Sequence, residues 1–247
     1  MRIEVVLSPV LYDGRVLQGG HTTVAVDVLR ATSAICAAFS VGAAEIVPLD
    51  SLEKLKDYRD LGYTLAAERN GEKVQGATCG NSPTEYLTMN LTGCRLAYST
   101  TNGTVSILRA VESARLYVGA FANLSALVER LASESGNDEL VVLCSGWKGD
   151  PSLEDTLFAG ALIDRLQCRG VEVGMVNDAA MMALDLWRMA KDDLYGFCGK
   201  ATHVHRLMKL GYERDIRWAF EIDTCPVVPI FDDGRLISGK LNEVKRS

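Results

Sequence analysis

Short apolar runs alternate with helical patterns along this 247-residue chain, and that alternation constrains its fold more than any other feature. Strand-like runs stand at 3–7, 23–28, 45–49, 64–67, 95–99, 115–118 and 139–144. Helix signals lie between several of them. Ser82 before Pro83 reads as an N-cap followed by proline at the first helical position, and Ser152-Leu153-Glu154-Asp155 resembles a capping box opening a helix to about residue 166. Such alternation implies an α/β fold, layered as α/β/α around a mixed or largely parallel sheet. From 177 to about 220 helical patterns dominate, and 226–231 then returns as a strand. With no low-complexity linker and no long repeat, the expectation is a single compact unit over 1–247, of which 177–247 forms a helix-rich subdomain.

Composition narrows the function classes. A hydrophobic content of 48% with 23% charged residues supports a large core and argues against disorder. The net charge is −6 and no Lys/Arg cluster offsets it, so nucleic acid is not an expected partner. Seven cysteines without a C-x-x-C pair argue against a zinc or redox centre. No apolar run reaches the length of a membrane span, and the N-terminal run is too short for a signal peptide. A reducing cytoplasm fits these features.

Polar residues gather where the strands end. Ser99-Thr100-Thr101-Asn102-Gly103 follows a strand and precedes a helical pattern; capping needs one hydroxyl and here there are three in a row, so the stretch reads as a cradle for a phosphate or sulfonate. Asp27 lies in an apolar run, where an acid is costly unless paired, and Mg²⁺ or Arg30 serves equally well as its partner. Leu29 stands where phosphatases of the haloacid dehalogenase type carry a second aspartate, which sets that class aside. Glu68-Arg69-Asn70-Gly71 offers an acid for a hard cation and a guanidinium for an oxyanion, or else a solvated turn. Gly80-Asn81-Ser82-Pro83 is explained by capping alone, and Glu154 and Asp155 suit the dipole of a first helical turn without any catalytic role. Ser145-Gly146 follows another strand, and 147–151 is a loop able to cover a site. His203 and His205 are two apart, which points them to different helix faces and speaks against a shared metal. In open α/β sheets ligands bind beyond the carboxyl ends of the strands, so these tips are expected to converge.

Taken together and in this order, Val26-Asp27-Val28-Leu29-Arg30-Ala31-Thr32, Glu68-Arg69-Asn70-Gly71, Gly80-Asn81-Ser82-Pro83, Thr100-Thr101-Asn102-Gly103 and Ser152-Leu153-Glu154-Asp155-Thr156 resemble the 2-phosphosulfolactate phosphatase family over roughly the first two thirds of the chain. The stretch 207–215 is also similar. The resemblance implies a Mg²⁺-dependent phosphatase that converts 2-phospho-3-sulfolactate to 3-sulfolactate and phosphate, a step in coenzyme M biosynthesis, and it makes a homodimer plausible. It implies a catalytic set of Asp27, Arg30, Glu68, Arg69 and Asp155, and Mg²⁺ held by some of Asp27, Glu68, Glu154 and Asp155. It further implies that Thr32, Asn70, Asn81, Ser82, Thr100, Thr101, Asn102, Gly103 and Ser145 contact a small anionic phosphorylated substrate. The chain differs from the family pattern at Ser99, where a third threonine is usual, and across 147–151. A phosphatase for another small phosphorylated acid, and a non-catalytic binder of anionic metabolites, are the competing expectations.

Overall fold

The computed structural model of the chain describes residues 1–12, 20–134 and 138–239. The apolar runs form strands, in chain order β1 (Arg2–Val6), β2 (Thr22–Val26), β3 (Glu45–Pro48), β4 (Thr64–Arg69), β5 (Glu72–Lys73), β6 (Arg95–Ser99), β7 (Arg115–Gly119), β8 (Glu139–Cys144), β9 (Gly174–Met175), β10 (Val228–Asp232) and β11 (Arg235–Gly239). Between them run α1 (Ala31–Ser40), α2 (Leu55–Asp60), α3 (Pro83–Tyr86), α4 (Gly103–Arg109), α5 (Leu124–Ser133), α6 (Leu153–Cys168), α7 (Asp178–Ala190), α8 (Leu194–Cys198), α9 (Thr202–Lys209) and α10 (Glu213–Ala219). The architecture is α/β with a mixed, mostly parallel sheet, as the alternation predicts. Among the described residues no helix is long and apolar enough to cross a membrane.

The sheet is made of two parallel groups. One runs β4-β6-β3, with β5 antiparallel on the outer edge of β4, and the other runs β7-β2-β8-β1-β9. The late hairpin β10–β11 stands between them. Strand β11 pairs antiparallel with β3 at Leu236↔Ile46 and Ile237↔Glu45, and β10 meets β7 at Ile230↔Tyr117. Asp233 and Gly234 turn the hairpin with φ of 44° and 81°. Two positive φ values in succession match the twist of a two-residue hairpin loop, and Asp-Gly adopts them readily.

Helices α1 and α4 are packed between the two groups. Their cluster, around Ala34, Ile35 and Ile107, takes in Ala25, Val118 and Leu143 from one group and Ala66, Leu96 and Tyr98 from the other. Helix α1 is buried from Ala31 to Phe39, and its small apolar residues suit a helix enclosed on all sides. A second cluster lies under α5, α6 and α7, with Leu131, Phe158, Leu162 and Trp187 against Val24, Tyr117 and Val142. Gly160 lets α7 approach α6 closely, since a Cβ there would run into the Ala183 carbonyl. This packing holds the ends of β2 and β8 firmly and brings the tips of β4 and β6 toward them.

Candidate active site

Strand β2 ends at Val26, and Asp27-Val28-Leu29-Arg30 carries the chain into α1 with a cis peptide between Leu29 and Arg30. The junction is fixed from within. Thr32 Oγ1 accepts the Asp27 N–H at 3.0 Å, and the Thr32 N–H donates to the Asp27 carbonyl at 2.9 Å. From the first turn of α6, Asp155 accepts the Val28 N–H on Oδ1 at 2.8 Å and the Gly146 N–H on Oδ2 at 3.0 Å. Asp155 therefore ties the end of β2 to the end of β8. Burial pushes its carboxyl well above the usual range, and the charges of Asp27 and Glu154 add to the effect.

Asp27 itself is only 5% exposed and lines a cleft of about 100 Å³. Burial pushes its carboxyl up to about 7; the charge of His203 opposes that shift, and those of Glu68 and Glu154 reinforce it. Its Oδ2 lies against Gly103, the first residue of α4, where a Cβ would come within 2.7 Å of the carboxyl oxygen and also collide with Ala31. Glycine is required there by space. Arg30 lines the same cleft, but its ion-pair partner is Asp215, at 2.9 Å and equally buried. The guanidinium also donates to the Gly71 carbonyl at 2.6 Å and stacks 3.7 Å above the Tyr212 ring, with N–H groups left over. Asp215 accepts in turn from Ser82 Oγ at 2.7 Å and from the Thr84 hydroxyl. Ser82 is thus a cap for α3, accepting the Glu85 N–H at 3.1 Å, and a support for Arg30.

The 99–103 stretch meets the tip of β4. Glu68 Oε1 accepts the Thr101 hydroxyl at 3.1 Å and the Gly71 N–H, while Oε2 accepts the Thr101 N–H at 3.3 Å. Arg69 turns to the Ser99 carbonyl and hydroxyl, at 3.2 and 2.9 Å. Thr100 and Thr104 bond each other's backbone N–H groups at the start of α4. The hydroxyls expected to cradle an anion are thus engaged with protein partners, as buried polar groups generally are. Asn102, Asn70 and Asn81 line the cleft, the last with its side-chain oxygen accepting from Tyr98. Of the residues singled out from sequence, Asp27, Arg30, Glu68, Asn70, Asn81, Thr101 and Asn102 meet on the cleft. Thr32, Arg69, Ser82, Thr100, Gly103, Glu154 and Asp155 stand behind it, as does Ser145, whose hydroxyl donates to Ser106 Oγ at 2.7 Å.

Sequence reasoning missed the remaining wall. His203 on α9 lines the cleft, and its Nδ1 lies 2.8 Å from Oε1 of the buried Glu154. A carboxylate only accepts, so with Glu154 ionised Nδ1 carries the proton. The imidazole stacks on Trp147, with centroids 5.4 Å apart and planes at 10°. Lys148 and Arg206 complete this side. His205 takes another direction, its Nε2 meeting the Gly199 carbonyl at 2.5 Å. From sequence the loop at 147–151 reads as able to cover a site and His203 is weighed only against His205; residues 147 and 203 are brought together by the fold alone.

The donor set fits a hard cation. Asp27 has no cationic partner in ion-pair contact among the described residues, and Glu154 Oε2 is buried with no hydrogen-bond partner. Among the described residues no three His, Cys, Asp or Glu side chains form a ready-made cage. Magnesium does not require one, since it commonly takes one or two carboxylates together with water and substrate phosphate.

A mainly parallel sheet whose strand ends present carboxylates, amides and cations to one small cleft defines an α/β enzyme for a compact polar ligand. The family model described as 2-phosphosulpholactate phosphatase matches residues 10–234. Proteins named "Probable 2-phosphosulfolactate phosphatase" are similar to this chain: one from Thermotoga maritima is 34% identical over 88% of this chain and 92% of its own. Another, from Microcystis aeruginosa, is 36% identical over 84% and 87%, and a third, from Prochlorococcus marinus, 38% identical over 85% and 88%. The chain belongs to the 2-phosphosulfolactate phosphatase family and is thereby a phosphatase of phosphomonoesters.

Proposed function

We propose that the protein hydrolyses 2-phospho-3-sulfolactate to 3-sulfolactate and phosphate with Mg²⁺, in the cytoplasm and as a step toward coenzyme M. The observation that carries this reading is one small cleft lined by the buried carboxylates Asp27 and Glu68 and by the cationic groups Arg30, Lys148 and Arg206. Such a mixture suits a compact, multiply charged phosphate ester.

Asp27, with Glu68 beside it, would hold Mg²⁺, which supplies charge neutralisation at the phosphoryl oxygens and a polarised water. The spare N–H groups of Arg30 donate to phosphoryl oxygens, and the Asp215 and Tyr212 contacts keep its guanidinium in one orientation. Hydrolysis joins a water oxygen to phosphorus and breaks the phosphorus bond to the ester oxygen, which then needs a proton. His203, on the cleft wall, would give it from Nε2, with Glu154 holding its Nδ1. The test is phosphate release by purified protein from 2-phospho-3-sulfolactate, with Mg²⁺ and with a chelator, beside 2-phospholactate. Release that is metal-dependent and needs the sulfonate supports the reading; release from neither compound overturns it.

A further inference from the structure

Lys148 and Arg206 line the cleft without forming an ion pair among the described residues, and both lie over one indole. Lys148 Nζ is 4.9 Å and Arg206 Cζ 5.9 Å from the centre of the Trp147 ring. The platform is well braced. Trp147 exchanges backbone hydrogen bonds with Asp150, at 2.9 and 3.1 Å, and stacks on His203, which Glu154 anchors. Arg206 spends one guanidinium nitrogen on the Asn70 carbonyl, at 2.5 Å, and keeps donors over. Trp147 and Arg206 also line a wider groove beside the cleft with His205 and Lys209, so positive charge continues outward along the approach.

On the phosphatase reading, Asp27 and Glu68 would meet the phosphoryl end through Mg²⁺, and the spare N–H groups of Arg30 would bind it directly. A second pair of cations is surplus to that end and calls for a second anionic head. Its geometry distinguishes the chemistry. A guanidinium fork meets two oxygens of a carboxylate or of a tetrahedral anion alike; a carboxylate is then filled, whereas a tetrahedral head keeps a third oxygen for a second cation from another element. We infer that Lys148 and Arg206, carried on the Trp147–His203 stack, form a seat that selects a sulfonate as the second anionic head of the substrate. The inference rests on the phosphatase reading above and assigns specificity, not turnover, to this wall.

The experiment compares wild type with Arg206→Gln, Lys148→Gln and the double variant on 2-phospho-3-sulfolactate and 2-phospholactate with Mg²⁺. Arg206→Lys serves as the conservative control. In parallel, calorimetric titration measures binding of 3-sulfolactate against lactate. The ratio of kcat/KM between the two phosphate esters is expected to fall about 10-fold in each single variant, mainly through KM, as loss of a hydrogen bond between charged groups predicts. Arg206→Lys retains most of the ratio. An unchanged ratio, with both esters losing equally, overturns the seat and assigns these cations to the phosphate or carboxylate end. If Arg206→Gln melts early, Lys148→Gln on its exposed loop carries the same comparison. Failure of wild type to hydrolyse either ester overturns the phosphatase reading alone, and the titration then decides the seat. A preference for 3-sulfolactate that Lys148→Gln removes sustains it, and no preference in wild type overturns it.

Discussion

The two walls of the cleft are built by opposite means. Asp27 and Glu68 stand at strand ends, nearly inaccessible, and their surroundings are locked by backbone hydrogen bonds through Thr32, Asp155 and Thr101. Lys148 and Arg206 stand on a turn and on an outer helix, partly or fully exposed, and are steadied by an aromatic face. Rigid, buried carboxylates keep a fixed geometry for chemistry, and at Asp27 burial makes ionisation harder. Exposed or half-buried cations on a turn and an outer helix are easily exchanged without disturbing the core. One wall thus suits the invariant part of a reaction and the other the choice of substrate.

The strongest way to break this contrast is Asp27→Asn. Turnover is expected to fall by about 10³-fold with anion binding retained, measured by phosphate release and by titration with 3-sulfolactate. An equal loss of binding would place Asp27 among the ligand-gripping groups instead. The same variant tests the buried charge through stability. Because burial raises the Asp27 carboxyl from 3.8 to about 7, the folded chain holds a proton there that the unfolded chain has released. Stability therefore falls as pH rises between those values, by at most about 4 kcal/mol. In chelator, wild type should lose melting temperature from pH 5 to pH 8, and Asp27→Asn should flatten that decline and melt higher at pH 8.

His203→Gln comes next, because the histidine belongs to the outer wall by position and to the chemistry by its Glu154 contact. A loss of about 10²-fold in kcat, with altered pH dependence and little change in KM, is the expected signature. A change confined to KM would make it part of the seat. The smallest effect is expected from Gly103→Ala, whose methyl group must displace Ala31 or the Asp27 carboxyl. Overpacking of this kind costs about 1–3 kcal/mol, readable as a lower denaturation midpoint, and activity should fall with it as Asp27 moves.

Much of the inner wall was legible in the sequence, and almost none of the outer one. Asp27 stands out because an acid within Val24-Ala25-Val26-Asp27-Val28 demands an explanation, and Glu68 because it closes a strand beside a turn. The apolar periodicity likewise located the strands that carry them. Arg30 was visible, but its partner Asp215 was not, since the two are 185 positions apart and nothing local links them. Three adjacent hydroxyls suggested an anion cradle, whereas Ser99, Thr100 and Thr101 serve Arg69, Thr104 and Glu68. Side-chain type in a loop does not reveal which neighbours arrive to satisfy it. Strand β11 went unread although Asp233-Gly234 carried the signal for its hairpin, and no local pattern states that a late hairpin enters the middle of a sheet.

That hairpin has a consequence for how the protein comes into being. On a ribosome, β3 and β7 are synthesised long before the segments that will pair with their open sides at Ile46 and Tyr117. Until Val228–Gly239 has emerged, the nascent chain carries two half-finished sheets, each with an unpaired border able to recruit a neighbouring chain. Cotranslational assembly must then end with the seam, so a stalled or truncated product lacking it is expected to be a substrate for chaperones.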